Sequence, residues 1–277
     1  MYRGCFILDA TDVQELDCES PCDISLDPED GTLSLVNSEE FSQSFFLTIA
    51  NVESILDNEG FDMLAHNRKT WGLDYVTIVA LVAPRTIFHA CTIEVGEGDV
   101  KIQSDIQKYI ACNKSEDFFP LEIFPLLSDS KNFLCTQAEG GLLTHFAHPS
   151  TFYAVDFQCD VGTPIVSVCD GEVVEIRNSA VAGSPEVCNF FDWNAIMIKS
   201  ADFCIEYVHV LKDSFQVSVG DKVAKGQVIC ASGGSGFCPE PHLHFEVHRD
   251  STPGSVSVPI RYRGESFQTG AYYGQTP

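Results

Sequence analysis

The segment PEPHLHFEVHRD, Pro239–Asp250, alternates polar and apolar residues with a period of two. Such alternation is typical of a β-strand with one apolar and one polar face. We predict that the intervening Leu243, Phe245 and Val247 enter a core. The polar residues His242, His244, Glu246 and His248 are expected to share the opposite face. Alternate residues on a strand have Cβ atoms about 6 to 7 Å apart, because the strand rises about 3.3 Å per residue. One imidazole could therefore hold a metal ion while its neighbour reaches a molecule bound beside that ion.

Most of the remaining chain also has the pattern of short strands. β-Branched and aromatic runs are separated by Gly, Pro, Asn and Asp, which indicates a mostly β fold with few helices. The strands that this pattern predicts lie at 44–52, 75–84, 86–95, 152–157, 195–199 and 203–210. The dipeptide Asp170-Gly171 predicts a hairpin within 163–176, and Ala201-Asp202 predicts a second one. The segment 105–111 is one of the short candidate helices in the first half of the chain.

The segment CNKSEDFFPLEIFPLL contains an acidic stretch and two prolines, which suits a connection between two domains. Residues 1–118 are expected to form a smaller β-sandwich-like domain of unknown role. Residues 119–277 are expected to form an all-β, sheet or barrel-like domain, since many short strands alternate there with glycine turns. Six of the eight histidines fall between His145 and His248, which places the candidate chemistry in the second domain.

The composition excludes some classes of function. The net charge is −24, from 40 acidic and 16 basic residues, and this disfavours nucleic acid, whose binding requires Lys and Arg. No window contains the roughly 18 to 20 apolar residues of a membrane helix, and the run Cys5–Leu8 is too short for a secretory leader. The 12 cysteines are irregularly spaced, and both disulfides and free thiols fit them, so the compartment stays open. The oligomeric state is not indicated.

Zinc in a hydrolytic site takes three protein ligands from His and carboxylate and leaves a position for water. Three segments offer such groups: LLTHFAHPSTFYAVDF, with His145, His148 and Asp156; EYVHV, with His209; and the strand of His242 and His244. Asp156 occupies the polar position of an apolar strand, so its carboxylate must face solvent or a positive group. Each segment taken alone is more often a solvated surface than a site.

The order of these motifs over Leu121 to Val247 resembles the lysostaphin-like, β-lytic zinc metallopeptidases, which cut peptides of peptidoglycan. This resemblance implies zinc bound by His145, Asp156 and His244, with His209 and His242 as the catalytic pair. It also implies a zinc-dependent endopeptidase that acts on a peptide substrate, with glycine-containing or peptidoglycan peptides as the candidates, and action in the cell wall or outside the cell. Members of this family often have Gln, then a glycine, then Ser/Thr-His before the strand of the Asp ligand, and TQAEGGLLTH fits this pattern with His145. His148 lies nearer to Asp156 in the sequence and stays an alternative.

Three rival interpretations remain at this point. A catalytically inactive peptidase fold would bind cell-wall peptide or a protein partner, but such domains lose zinc ligands and here all five positions are filled. A structural zinc site would recruit a fourth protein ligand, for example a cysteine. A biotinyl- or lipoyl-type carrier would need a lysine at a hairpin tip, which Cys169-Asp170-Gly171 does not supply. His248 has no counterpart in the motif and is expected to be a solvated residue at the strand end.

Overall fold

A computed structural model describes residues 2–16, 23–109, 117–128, 131–252 and 255–274. The chain is 45% strand and 6% helix, which confirms the mostly β fold. It divides into two compact units, unit 1 (Met1–Ile110 with Pro185–Cys188) and unit 2 (Ala111–Ser184 with Asn189–Pro277). The domain boundary expected between residues 118 and 119 stays a prediction.

Unit 1 consists of two β-sheets and one helix. Its elements are β1 (Cys5–Leu8), β2 (Gln14–Glu15), β3 (Asp23–Leu26), β4 (Thr32–Asn37), β5 (Gln43–Ala50), β6 (Ser54–Leu56), α1 (Met63–Trp71), β7 (Tyr75–Val82), β8 (Thr86–Glu94) and β9 (Lys101–Lys108). One sheet has the order β1-β7-β5-β9, and the other has the order β2-β8-β4-β3 with β6 on β8. Apolar side chains of both sheets and of α1 share one core. The Asp62 side chain caps α1 by accepting from Ala65 N–H at 2.9 Å.

Unit 2 is built almost entirely from strands. Its strands are β10 (Phe119–Leu121), β11 (Phe133–Gln137), β12 (Val155–Gln158), β13 (Pro164–Val166), β14 (Gly171–Arg177), β15 (Gly183–Ser184), β16 (Ala195–Ser200), β17 (Phe203–Val208), β18 (Lys222–Val223), β19 (Val228–Ala231), β20 (Gly236–Phe237), β21 (His242–His248), β22 (Ile260–Tyr262), β23 (Glu265–Ser266) and β24 (Tyr272–Tyr273). A short 3-10 helix spans His145–Ala147. A second one, Val187–Asn189, begins in the segment Pro185–Cys188 that belongs to unit 1.

An eight-stranded sheet of order β18-β14-β16-β17-β21-β12-β11-β24 forms the centre of unit 2. The histidine strand β21 lies between β17 and β12 and is antiparallel to both. Leu243, Phe245 and Val247 are fully buried in the core on one face, as the alternation predicts. Asp156 lies directly opposite His244 across the β12–β21 pair. The core therefore fixes which side chains meet on the other face.

The structure corrects two local predictions and confirms others. The segment expected to be a helix at 105–111 is strand up to Lys108, where β9 pairs along its whole length with β5; Tyr109 is not helical, and residues 110 and 111 lie outside the described ranges. Pairing of this segment with β5 outweighs its local helix-like sequence pattern. The Asp170-Gly171 hairpin is also wrong, because β13 pairs with β19 while β14 pairs with β16 and β18. The hairpin around Ala201-Asp202 is confirmed by the β16–β17 pair.

Nine cysteines carry free thiols in the described ranges, at 5, 91, 135, 159, 169, 188, 204, 230 and 238. Burial raises the pKa of the Cys91 thiol to about 12 and that of Cys159 to about 11, so both stay protonated at neutral pH. In the same ranges, no helix combines the length and apolar character that crossing a bilayer requires.

Candidate metal centre

Three side chains that are far apart in the chain converge on the polar face of the central sheet. Asp156 comes from β12, His244 from the neighbouring β21, and His145 from the 3-10 helix that follows the loop after β11. His145 Nε2 lies 3.1 Å from Asp156 Oδ1 and 3.2 Å from His244 Nδ1. Asp156 Oδ1 and His244 Nδ1 are 2.9 Å apart. These three atoms form a compact group of potential metal ligands.

The spacing of the three atoms fits a small tetrahedral metal ion. With metal–ligand bonds of about 2.0 to 2.2 Å, two ligand atoms of a tetrahedral centre lie about 3.3 to 3.6 Å apart. The observed distances of 2.9 to 3.2 Å are slightly shorter than this range. Two imidazoles and one carboxylate are also the donor set of hydrolytic zinc sites. Among the described residues, no cysteine joins this group, so the fourth ligand expected of a structural site is not found there.

The backbone and Gln137 prepare this donor set. His145 Nδ1–H donates to the carbonyl of Ala138 at 3.1 Å, which leaves the lone pair on Nε2 towards the cluster. The Gln137 amide donates to Asp156 Oδ2 at 2.6 Å, so Oδ1 remains for the cluster. The carbonyl oxygen of the same Gln137 side chain accepts from Thr144 N–H, which fixes the turn that carries His145. Sequence reasoning quoted this glutamine as part of a motif but did not assign its role.

Burial makes the electrostatics of the cluster strong. Burial opposes ionisation of Asp156, yet the three imidazoles of His145, His242 and His244 hold its pKa well below the usual value. Burial also opposes a charge on His244, but Asp156 and Glu246 raise its pKa to about 10. A metal ion that binds His244 Nδ1 must therefore displace a proton.

His209 and His242 flank the three-residue cluster. Their ring centroids are 4.5 Å apart, and the His209 ring centroid lies 6.0 Å from that of His244. His242 Nε2 lies 3.6 Å from Asp156 Oδ2. Each ring donates its Nδ1–H to a backbone carbonyl, His209 to Ser235 at 2.6 Å and His242 to Glu240 at 2.7 Å. Both rings therefore keep their Nε2 atoms available for a substrate or a water molecule.

The two flanking histidines differ in their protonation. Burial and the neighbouring His242 and His244 hold the pKa of His209 well below its ordinary value, so His209 is a neutral base near pH 7. Burial opposes the charged form of His242, but Cys238 and Asp156 raise its pKa to about 9. One ring is therefore suited to accept a proton and the other to donate one.

His209 sits at a sharp change of backbone direction at the end of β17. Its φ is +63°, in the left-handed region that few residues other than glycine adopt. Gly233 N–H donates to His209 O at 2.8 Å, and a Cβ at Gly233 would lie 2.7 Å from Leu211 N. Only glycine allows this approach, which places Ser235 O against the His209 ring.

The structure brings His145, Asp156, His244, His209 and His242 together, and their roles stay predictions. His148 lies outside the cluster, because its Nδ1 accepts from Ser150 N–H at 3.1 Å. The expectation of a solvated His248 is wrong, because only 5% of this residue is exposed. Its Nδ1–H donates to Ser255 O at 3.1 Å, and its Nε2 lies 3.2 Å from Glu246 Oε1. The chain after the strand folds back over this face, which the alternation of β21 does not reveal.

A sheet-borne His/Asp/His cluster is a donor set that suits a hydrolytic metal site, and two further imidazoles lie beside it. Residues 150–255 match the profile of Peptidase family M23, so the chain carries an M23 peptidase domain. The matched segment contains Asp156, His209, His242 and His244 and begins after His145.

Curated relatives are similar over the same part of the chain. The glycyl-glycine endopeptidase ALE-1 of Staphylococcus capitis is 36% identical over 94 residues, which are 34% of this chain and 24% of ALE-1. The peptidoglycan DD-endopeptidase ShyA of Vibrio cholerae is 36% identical over 93 residues, 33% of this chain and 19% of ShyA. The chain thus spans about a quarter or less of the length of these relatives. The catalytic domain of lysostaphin from Staphylococcus simulans is 27% identical, covering 47% of this chain and 87% of that domain with a TM-score of 0.35.

Proposed function

We propose that unit 2 is a zinc-dependent endopeptidase that hydrolyses peptide bonds in peptidoglycan-type or glycine-containing peptides. The observation that carries the proposal is the convergence of His145 Nε2, Asp156 Oδ1 and His244 Nδ1 within 3.2 Å of one another. Zinc bound there would act as a Lewis acid on the scissile carbonyl and lower the pKa of water. His145, Asp156 and His244 would hold the ion and would leave room for water, as in hydrolytic zinc sites.

The flanking histidines supply the proton transfers in this proposal. His209 is neutral near pH 7 and accepts a proton through Nε2, because its Nδ1–H is held by Ser235 O. His242 presents its own Nε2 beside the ligand Asp156 and donates to the developing oxyanion or to the leaving amine. The carbonyls that accept from both Nδ1 atoms keep the rings in these tautomers.

The substrate class follows from the relatives and from the charge of the chain. ALE-1 is named for glycyl-glycine bonds and ShyA for DD-crosslinks of peptidoglycan, so the proposal includes both types of peptide and action on the cell wall. A net charge of −24 would favour peptides with a free amine over anionic polymers. The alternative, an inactive module that binds cell-wall peptide or a protein, has no supporting feature in the cluster, because all five side chains are present.

Metal analysis and peptide cleavage together test the proposal. The purified chain should contain one zinc per molecule and should cut pentaglycine or crosslinked muropeptides. A chelator should abolish cleavage, and added zinc should restore it. A chain that binds zinc and peptide without cutting either substrate would support the inactive module, and a chain without zinc would refute the enzyme proposal.

A further inference from the structure

Three titratable side chains form a row along the polar face of β21, starting at the ligand His244. Glu246 lies between His244 and His248, with Oε2 3.4 Å from His244 Nε2 and Oε1 3.2 Å from His248 Nε2. All three residues are at most 8% exposed. His248 is held at its other nitrogen by Ser255 O at 3.1 Å. The row therefore links the cluster to a fixed backbone carbonyl.

Among the residues that the structure describes, one atom of this row finds no hydrogen-bond partner. Glu246 Oε2 is buried and accepts no hydrogen bond, although the His244 ring is next to it. Buried acceptors in folded proteins are nearly always satisfied, so an unsatisfied one calls for a missing donor. The nearest ring nitrogen is His244 Nε2, at slightly more than normal hydrogen-bond length.

A metal ion on Nδ1 of His244 would fix the proton of this ring on Nε2. A neutral imidazole carries one proton, so a ring that binds metal through Nδ1 must carry its proton on Nε2. That Nε2 lies 3.4 Å from Glu246 Oε2. Metal-bound histidines typically donate their second N–H to a carboxylate, which fixes the tautomer and strengthens the ligand.

A second cation site is the competing interpretation of the same residues. Glu206 faces Glu246 across the β17–β21 pair, and Glu206, Glu246 and His248 could offer three ligand atoms. Both oxygens of Glu246, however, already face a histidine nitrogen. This geometry favours a linear row over a closed set of ligands.

We infer that Glu246 is a positioning residue which holds His244 in the tautomer that binds metal through Nδ1, and that His248 anchors Glu246. The inference rests on the proposed function only in that a metal ion binds the cluster. Glu246 touches neither substrate nor metal in this arrangement. Its effect would be exerted through the orientation and basicity of His244.

Zinc affinity, measured by competition with a chromophoric chelator, tests the inference. Glu246→Leu should weaken zinc binding by about 10- to 100-fold, the usual effect of losing such a partner. Glu246→Gln should retain most of the affinity, because its amide oxygen can still accept from His244 Nε2–H. Glu206→Gln is the matched control on the same face and should leave affinity unchanged. Long-range ¹⁵N–¹H spectra of the zinc-loaded wild-type chain should show His244 protonated at Nε2, even if Glu246→Leu fails to fold.

The outcomes separate this inference from the proposed function. Zinc binding that is equally tight in Glu246→Leu, or a zinc-loaded His244 protonated at Nδ1, would overturn the inference and leave the enzyme proposal intact. A second zinc equivalent that is lost in Glu206→Gln would replace the row with a second cation site. No zinc binding by the wild-type chain would overturn both.

Discussion

Replacing His145 by alanine is the most direct test of the cluster, because this ligand lies outside the segment that matches the family profile. His145 is fully buried and supplies one of the three proposed ligand atoms. Zinc binding by a complete protein site contributes about 10 to 16 kcal/mol, so one of four ligands accounts for about 2.5 to 4 kcal/mol. Since about 1.4 kcal/mol is a factor of ten, we expect zinc affinity to fall by about 10²- to 10³-fold.

The assay is zinc competition at neutral pH, with thermal unfolding of the metal-free protein as a check of folding. Loss of the imidazole also leaves Ala138 O without its donor, which costs about 1 to 3 kcal/mol of stability if water does not replace it. His148→Ala is the matched control, because that ring bonds only within its own turn, to Ser150. Unchanged affinity in His145→Ala, together with a large loss in His148→Ala, would refute the ligand set derived from these distances.

Three further outcomes follow from the cluster and its flanking rings. His209→Ala and His242→Ala should keep one zinc per chain and lose about 10²- to 10⁴-fold in kcat, the usual contribution of a general acid or base. A wild-type rate in either variant would remove that residue from the mechanism. Gln137→Leu should weaken zinc binding by about 10-fold or more through loss of its bond to Asp156 Oδ2, measured by the same chelator competition. In the metal-free protein the pKa of His244 is raised to about 10, so protonated His244 contributes stability that is present below about pH 6.5 and lost as the pH rises towards 10. The melting temperature should therefore fall over that pH window, and zinc binding should release a proton, measured by calorimetry in several buffers. Zinc binding without proton release would contradict this assignment.

The sequence predicted the part of the site that depends on strand alternation. A period of two separates core from polar residues without any knowledge of partners, so the face shared by His242, His244 and Glu246 could be read directly. The β16–β17 hairpin was also predictable, because a tight turn joins neighbouring strands of one sheet.

The remainder depends on contacts between distant segments. His248 looked solvated because nothing local shows that residues near Ser255 and Ser257 cover it. The Asp170-Gly171 turn looked like a hairpin because the partners of β13 and β14 come from β19 and β16. Spacing alone left His145 and His148 as alternatives, because the position of each ring depends on the path of a loop.

The direct opposition of Asp156 and His244 ties metal binding to the assembly of the sheet. A slip of one residue between β12 and β21 would turn every side chain of one strand to the other face and bury the carboxylate among apolar groups. A chain with such an error could not collect the three donors. Only molecules with the correct pairing of β12 and β21 would then bind the ion. The fraction of molecules that carry metal would therefore report how many have folded correctly as well as how much metal was available.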